Sequence, residues 1–216
     1  MTPTTKRTRI KFCGITSSED AAAAAALGVD ALGLILVPGS PRALDLGRAA
    51  EIASSVPPFV SRVALFRNAP ASAVHAALLA VQVEMLQFHG EESPEYCAQF
   101  GRPWLKAVPM AGLADAATLD AFLVAFQMAS GLVFDSHGGQ HSGGRGEPFD
   151  WARIPSQRPR PLILAGGLRP DNVAEAVRQV RPWAVDVSSG IESAPGIKDH
   201  AKMRVFIDEV HRAGTY

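Results

Sequence analysis

Arg9-Ile10-Lys11-Phe12-Cys13-Gly14-Ile15-Thr16-Ser17-Ser18-Glu19 reads as a short apolar strand, a glycine turn and the opening of a helix. Thr16 and Glu19 stand at the Thr-x-x-Glu spacing of a capping box, so a helix is expected from Ser17 to Leu27. A thiol at the carboxyl end of such a strand, Cys13, points at whatever binds beyond the strand end. The positive end of the following helix is expected to favour its thiolate.

The same phrase of strand, turn and helix recurs at intervals of roughly 25 residues, the pattern of strands alternating with helical crossovers. Strands are expected over Arg9–Cys13, Ala31–Leu36, Val60–Phe66, Met85–Phe88, Trp104–Val108, Leu132–Asp135, Leu162–Ala165 and Ala184–Val187. Their continuous apolar character is that of a parallel sheet covered on its faces. Helical patterns fall over Ser18–Leu27, Leu46–Val56, Ala71–Ala80, Pro94–Phe100, Asp115–Phe126, Asp171–Val180 and Asp199–Arg212. The sixth crossover is the exception: Ser136 to Phe149 is dense in glycine, and only Asp150 to Ile154 has room for a turn of helix. Eight strands in 216 residues match the small end of the (β/α)8 TIM barrel range, whereas a doubly wound sheet more often has about six. No composition shift divides the chain, so residues 1–216 are expected to form one α/β barrel domain, with its active site at the carboxyl ends of the strands.

Lysine plus arginine balance aspartate plus glutamate at 21 each, and 47% of the residues are apolar. The absence of a basic run argues against nucleic acid or an anionic membrane surface as partner. No stretch approaches the roughly 20 apolar residues of a membrane span, and the polar start lacks a signal core. A cytoplasmic protein with a small-molecule partner is expected, either a monomer or a homodimer. Cys13 and Cys97 are the two cysteines. They support neither a disulfide framework nor a metal site, and His137 and His141 lie among glycines rather than on a helix face.

Gly166-Gly167 and Ser188-Ser189-Gly190 follow strands seven and eight, where barrels often bind phosphate through exposed backbone N–H groups. Gly144 and Gly146 in the sixth loop are placed to close over the same group. Asp135 ends strand six and Cys13 ends strand one, three strands apart by the short route around the ring. An acid and a base would then face one ligand from opposite sides, as a sugar isomerisation requires. Arg42, after strand two, is read as a free cation at this rim, suited to a substrate carboxylate or to an ordinary surface role.

The stretches Lys11-Phe12-Cys13-Gly14-Ile15-Thr16, Ser40-Pro41-Arg42, Leu86-Gln87-Phe88-His89-Gly90, Gly143-Gly144-Arg145-Gly146, Ala165-Gly166-Gly167-Leu168 and Val185-Asp186-Val187-Ser188-Ser189-Gly190-Ile191-Glu192 together resemble the phosphoribosylanthranilate isomerases of tryptophan biosynthesis. The resemblance runs from the first strand to the last helix. It implies an Amadori rearrangement of N-(5-phosphoribosyl)anthranilate, with Asp135 as general acid, Cys13 as general base, and Arg42, His89 and Asp186 as substrate-binding residues. Because the redox change is internal to the sugar, no cofactor and no metal are implied. Three residues depart from the family pattern: Phe88 where leucine is common, Glu147 where lysine or glutamine is usual, and Arg169 where asparagine precedes the proline. The last removes a preferred helix cap beside the phosphate loop. Alternatives at this stage are a non-catalytic phosphosugar-binding barrel, an isomerase that also takes the related aminoaldose phosphate, and the indole-glycerol-phosphate synthases or ribulose-phosphate epimerases. The last two would show catalytic lysines at strand ends or metal-ligand histidines and aspartates, which are not visible.

Overall fold

The computed structural model describes residues 7–113, 115–136 and 149–214. Its centre is a closed parallel barrel of eight strands in sequence order, β1 pairing with β2 on one side and with β8 on the other. The strands are β1 Arg9–Cys13, β2 Ala31–Ile35, β3 Ser61–Phe66, β4 Met85–Phe88, β5 Trp104–Pro109, β6 Gly131–Asp135, β7 Leu162–Leu164 and β8 Ala184–Val187. The α-helices are α1 Ser18–Ala26, α2 Leu46–Ser55, α3 Ala71–Ala80, α4 Pro94–Ala98, α5 Ala116–Ala125, α6 Val173–Val180 and α7 His200–Ala213.

Successive residues of a strand point to opposite faces, and here the two faces have different chemistry. Ile10, Phe12, Leu32, Leu34, Phe66, Leu86, Phe88, Phe134 and Val185 pack outward against the helices and belong to the main hydrophobic core. The inward set is smaller. Leu105, Val133, Ile163, Ala165 and Ala184, with Met85 against them, form a separate apolar plug. Lys11, Gln87 and Asp186 are also buried, and they belong to the same inward alternation as the residues of that plug.

Helix starts follow the capping residues, with one register correction. Ser17, not Thr16, caps α1, its side chain accepting from the Asp20 N–H. Thr16 instead donates its hydroxyl to the Gly196 carbonyl, which joins the turn after β1 to the segment after β8. Asp45, Ser93, Asp115 and Asp199 cap α2, α4, α5 and α7 in the expected way. In the sixth crossover the described residues hold a single 3₁₀ turn, Trp151–Arg153. After β8 the chain makes a second 3₁₀ turn, Ser189–Ile191, and then a two-stranded antiparallel hairpin, β9 Glu192–Ala194 and β10 Ile197–Lys198. The repeat pattern contains no sign of that hairpin.

Candidate functional site

At the carboxyl ends of the strands lies a cavity of about 380 Å³, lined among others by Cys13, Arg42, His89, Asp135, Asp186 and the residues 165–168 and 187–189. Cys13 from β1 and Asp135 from β6 open into this one space, as their strand positions imply. His89, just past β4, reaches Asp135 with its Nε2 3.8 Å from Oδ2, and its Nδ1 lies 3.3 Å from the Gln87 amide nitrogen.

The state of Cys13 differs from the sequence expectation. Its residue is 6% exposed, and burial pushes the thiol above its ordinary value, outweighing the lowering effects of Lys11 and Lys198. The expected helix-dipole preference for thiolate is overturned by desolvation. The turn N–H groups nearest the cysteine, those of Gly14 and Ile15, are committed to the Gly33 carbonyl. α1 itself begins only at Ser18.

Arg42 is not a free cation. Its Nε and Nη2 donate to the two carboxylate oxygens of Glu192, each at 2.7 Å, in a bidentate geometry that holds the guanidinium plane fixed. Lys198 donates from the other side, at 2.8 Å to Glu192, 2.7 Å to the Cys13 carbonyl and 3.1 Å to the Ser188 carbonyl. Burial pushes Glu192 up, but its bonds to Arg42 and Lys198 outweigh that and hold it below the usual carboxylate range. The β9–β10 hairpin therefore fastens three rim segments: the end of β1, the loop after β2 and the loop after β8. Lys198 and Glu192 escaped functional reading because their partners are up to 185 residues away in sequence.

The two glycine-bearing loops adopt backbone that needs their glycines. Gly166 and Gly167 have φ of 76° and 68°, the left-handed region that side chains avoid. A Cβ on Gly166 would also come 2.5 Å from the Ser136 backbone nitrogen. The N–H groups of Gly166, Gly167, Ser188 and Ser189 donate to no turn or loop carbonyl among the described residues. A Cβ at Gly190 would fall 1.9 Å from the Leu168 carbonyl, so its bareness lets the β8 loop lie directly against the β7 loop. Asn172, rather than a residue at position 169, braces this rim. Its side chain accepts from the Arg169 N–H at 2.8 Å and donates to the Gly167 carbonyl at 2.9 Å. Gly144, Gly146, Glu147, His137 and His141 lie outside the described residues.

Three buried polar atoms on residues lining the cavity have no hydrogen-bond partner: Gln87 Oε1, Asp186 Oδ1 and Ser188 Oγ. Buried polar groups are normally satisfied, and a ligand bearing hydroxyl groups would satisfy these. Asp186 is otherwise tied to Lys11, Oδ2 to Nζ at 2.8 Å. Among the described residues no cluster of three metal-ligating side chains is present.

Comparison with known proteins places the chain as a whole in one family. The family model described as N-(5′-phosphoribosyl)anthranilate (PRA) isomerase matches residues 10–209. Proteins named N-(5′-phosphoribosyl)anthranilate isomerase from Alcanivorax borkumensis and Halorhodospira halophila are 48% and 50% identical. The first alignment covers 96% of this chain and 97% of the relative, the second 95% and 98%. Among solved structures, the phosphoribosyl anthranilate isomerase of Thermus thermophilus superposes with a TM-score of 0.82 at 37% identity, over 94% of this chain and 98% of its own. A phosphoribosyl anthranilate isomerase in complex with reduced 1-(o-carboxyphenylamino)-1-deoxyribulose 5-phosphate superposes with a TM-score of 0.79 at 34% identity, again over 94% and 98%.

Proposed function

The chain belongs to the N-(5′-phosphoribosyl)anthranilate isomerase family, and from that premise we propose how its cavity divides the chemistry, with Asp135 as general acid and Cys13 as general base. The reaction is the isomerisation of N-(5-phosphoribosyl)anthranilate to 1-(2-carboxyphenylamino)-1-deoxy-D-ribulose 5-phosphate in tryptophan biosynthesis, an aldose-to-ketose conversion. Asp135 gives its proton to the ribose ring oxygen as the bond from that oxygen to C1′ breaks. The anthranilate nitrogen lone pair closes a C1′=N Schiff base. The Cys13 thiolate then removes the proton from C2′, the C2′–H electron pair becomes the C1′–C2′ double bond of an enolamine, and tautomerisation gives the ketone. Electrons move only within the substrate, so no oxidant, reductant or metal enters the balance.

The other residues bind. The N–H groups of Gly166, Gly167, Ser188 and Ser189 are set to receive the phosphate, while Gly190 acts by bringing the two loops together. Arg42 keeps Nη1 for the anthranilate carboxylate. Asp186 Oδ1 and His89 face the sugar. The phosphosugar is the small-molecule partner of this reading, and an amino-acid biosynthetic step fits a cytoplasmic location; no described helix is long and apolar enough to cross a membrane.

The observation that carries the proposal is the opening of Cys13 and Asp135 into one cavity whose rim is built from the two glycine-bearing loops. The test is turnover of freshly generated N-(5-phosphoribosyl)anthranilate by purified protein after exhaustive chelation. Full activity without added cofactor is expected, and activity lost with EDTA and restored by a divalent cation would contradict the scheme.

A further inference from the structure

Lys11 sits inside the barrel without a part in the proton transfers described above. It precedes Cys13 by two residues on β1, so the two side chains share the inward face. Opposite Cys13 in the ladder is Gly33 of β2. A Cβ at Gly33 would come 2.7 Å from Cys13 Sγ and 3.1 Å from Lys11 Nζ. Sulfur and ammonium thus lie side by side over one bare stretch of backbone. On the other flank β8 supplies Asp186, whose Oδ2 holds the same Nζ at 2.8 Å. Both side chains of this pair are 6% exposed. Two charges are costly to bury so deeply, and apolar residues fill the neighbouring interior layer.

We propose that Lys11, held by Asp186, is a positioning residue for Cys13: its ammonium aims the sulfur into the cavity and supplies the counter-charge of the thiolate. This rests on the reading of Cys13 as the base. The charged groups facing the sulfur are Lys11 and Asp186 from within the barrel, Lys198 from the hairpin and Arg42 from the loop after β2. Asp135 acts on Asp186 from β6. Burial drives the thiol up, Lys11 is the largest force bringing it down, and Asp186 opposes Lys11 while keeping it protonated. Without Lys11, the cations among the described residues that would offset the burial of a thiolate are Lys198 and Arg42.

The experiment is the pH dependence of Cys13 alkylation by iodoacetamide in the substrate-free protein, with Cys13→Ala as blank. Cys97, buried and pushed up to about 12, remains a thiol throughout. Lys11→Met alone strands the Asp186 carboxylate, so the double variant Lys11→Met/Asp186→Asn gives a neutral interior, and Lys11→Arg keeps the charge. The double variant is expected to alkylate at least about tenfold more slowly at pH 8, since below the pKa a shift of one unit changes the thiolate tenfold. The acid limb of its kcat/KM profile should move up with it, and Lys11→Arg should stay within about threefold of wild type. A folded double variant whose alkylation profile superimposes on wild type would overturn the proposal. Full turnover by folded Cys13→Ala would overturn the reading of Cys13 as base, and the proposal with it.

Discussion

At Arg42 the guanidinium gives Nε and Nη2 to Glu192, which leaves Nη1 outside that fork for the proposed contact with the anthranilate carboxylate. Such a contact lies away from the reacting carbons and persists from ground state to transition state, so it contributes uniform binding. Arg42→Ala is therefore expected to raise KM by about tenfold or more while kcat falls far less; unchanged KM with a collapsed kcat would place Arg42 in the chemistry instead. Single residues were legible in the sequence where strand position alone decides where they point. Cys13 and Asp135 end strands on the inward alternation of β1 and β6, which turns both toward the cavity. What a side chain touches was not legible. The thiol's upward shift comes from burial, and the pairing of Arg42 comes from a residue 150 positions away. Neither leaves a mark in the local sequence.

The elements show the same division. β1, β4 and β8 occupy the expected stretches because each is a mainly apolar segment bounded by turn residues, with one buried inward polar residue, Lys11, Gln87 or Asp186. The β9–β10 hairpin, two short polar strands around Gly196, carries no periodicity to read. A second buried pair governs the β3 and β4 loops. Lys106, on the outward face of β5, reaches Glu92 Oε2 at 2.9 Å and the Gly90 carbonyl at 2.8 Å. Glu92 also accepts from the Asn68 and Gly90 N–H groups at 2.6 and 2.9 Å. This network holds the segment that follows His89. Its two side chains are 1% and 3% exposed, and removing one partner from such a pair costs about 3–5 kcal/mol. Lys106→Met should lose that much stability in urea unfolding, and an unchanged midpoint would show that the pair is idle. The pH dependence has a definite sign. Burial pushes Glu92 up, but Lys106 together with the backbone N–H groups bonded to the carboxylate outweighs it and holds the carboxyl below its ordinary value. A group lowered in this way contributes stability above its unfolded pKa of about 4.3, and that contribution is lost as pH falls through the lowered folded value. The acid limb of stability should be steeper in wild type than in Lys106→Met.

Across the whole molecule, closure of β1 onto β8 is what turns a linear repeat into a site. It brings Lys11 opposite Asp186 in register, sets the first strand's cysteine near the serines of the loop after the last strand, and leaves Asp135 on another wall of the same cavity. The repeat made the barrel legible, and the barrel made the site's place legible. The charge pairs that line it were hidden, because their members come from opposite ends of the chain. The division of acid and base between Asp135 and Cys13 is the claim on which the rest depends, and the most direct test is kcat for Asp135→Asn and Cys13→Ala, each shown to be folded and to bind a product analogue. Each kcat should fall by on the order of 100-fold or more, with affinity for the analogue nearly unchanged, as for the loss of a positioned acid or base. Near-normal turnover by folded Asp135→Asn would mean that another acid opens the ribose ring, and would contradict the mechanism.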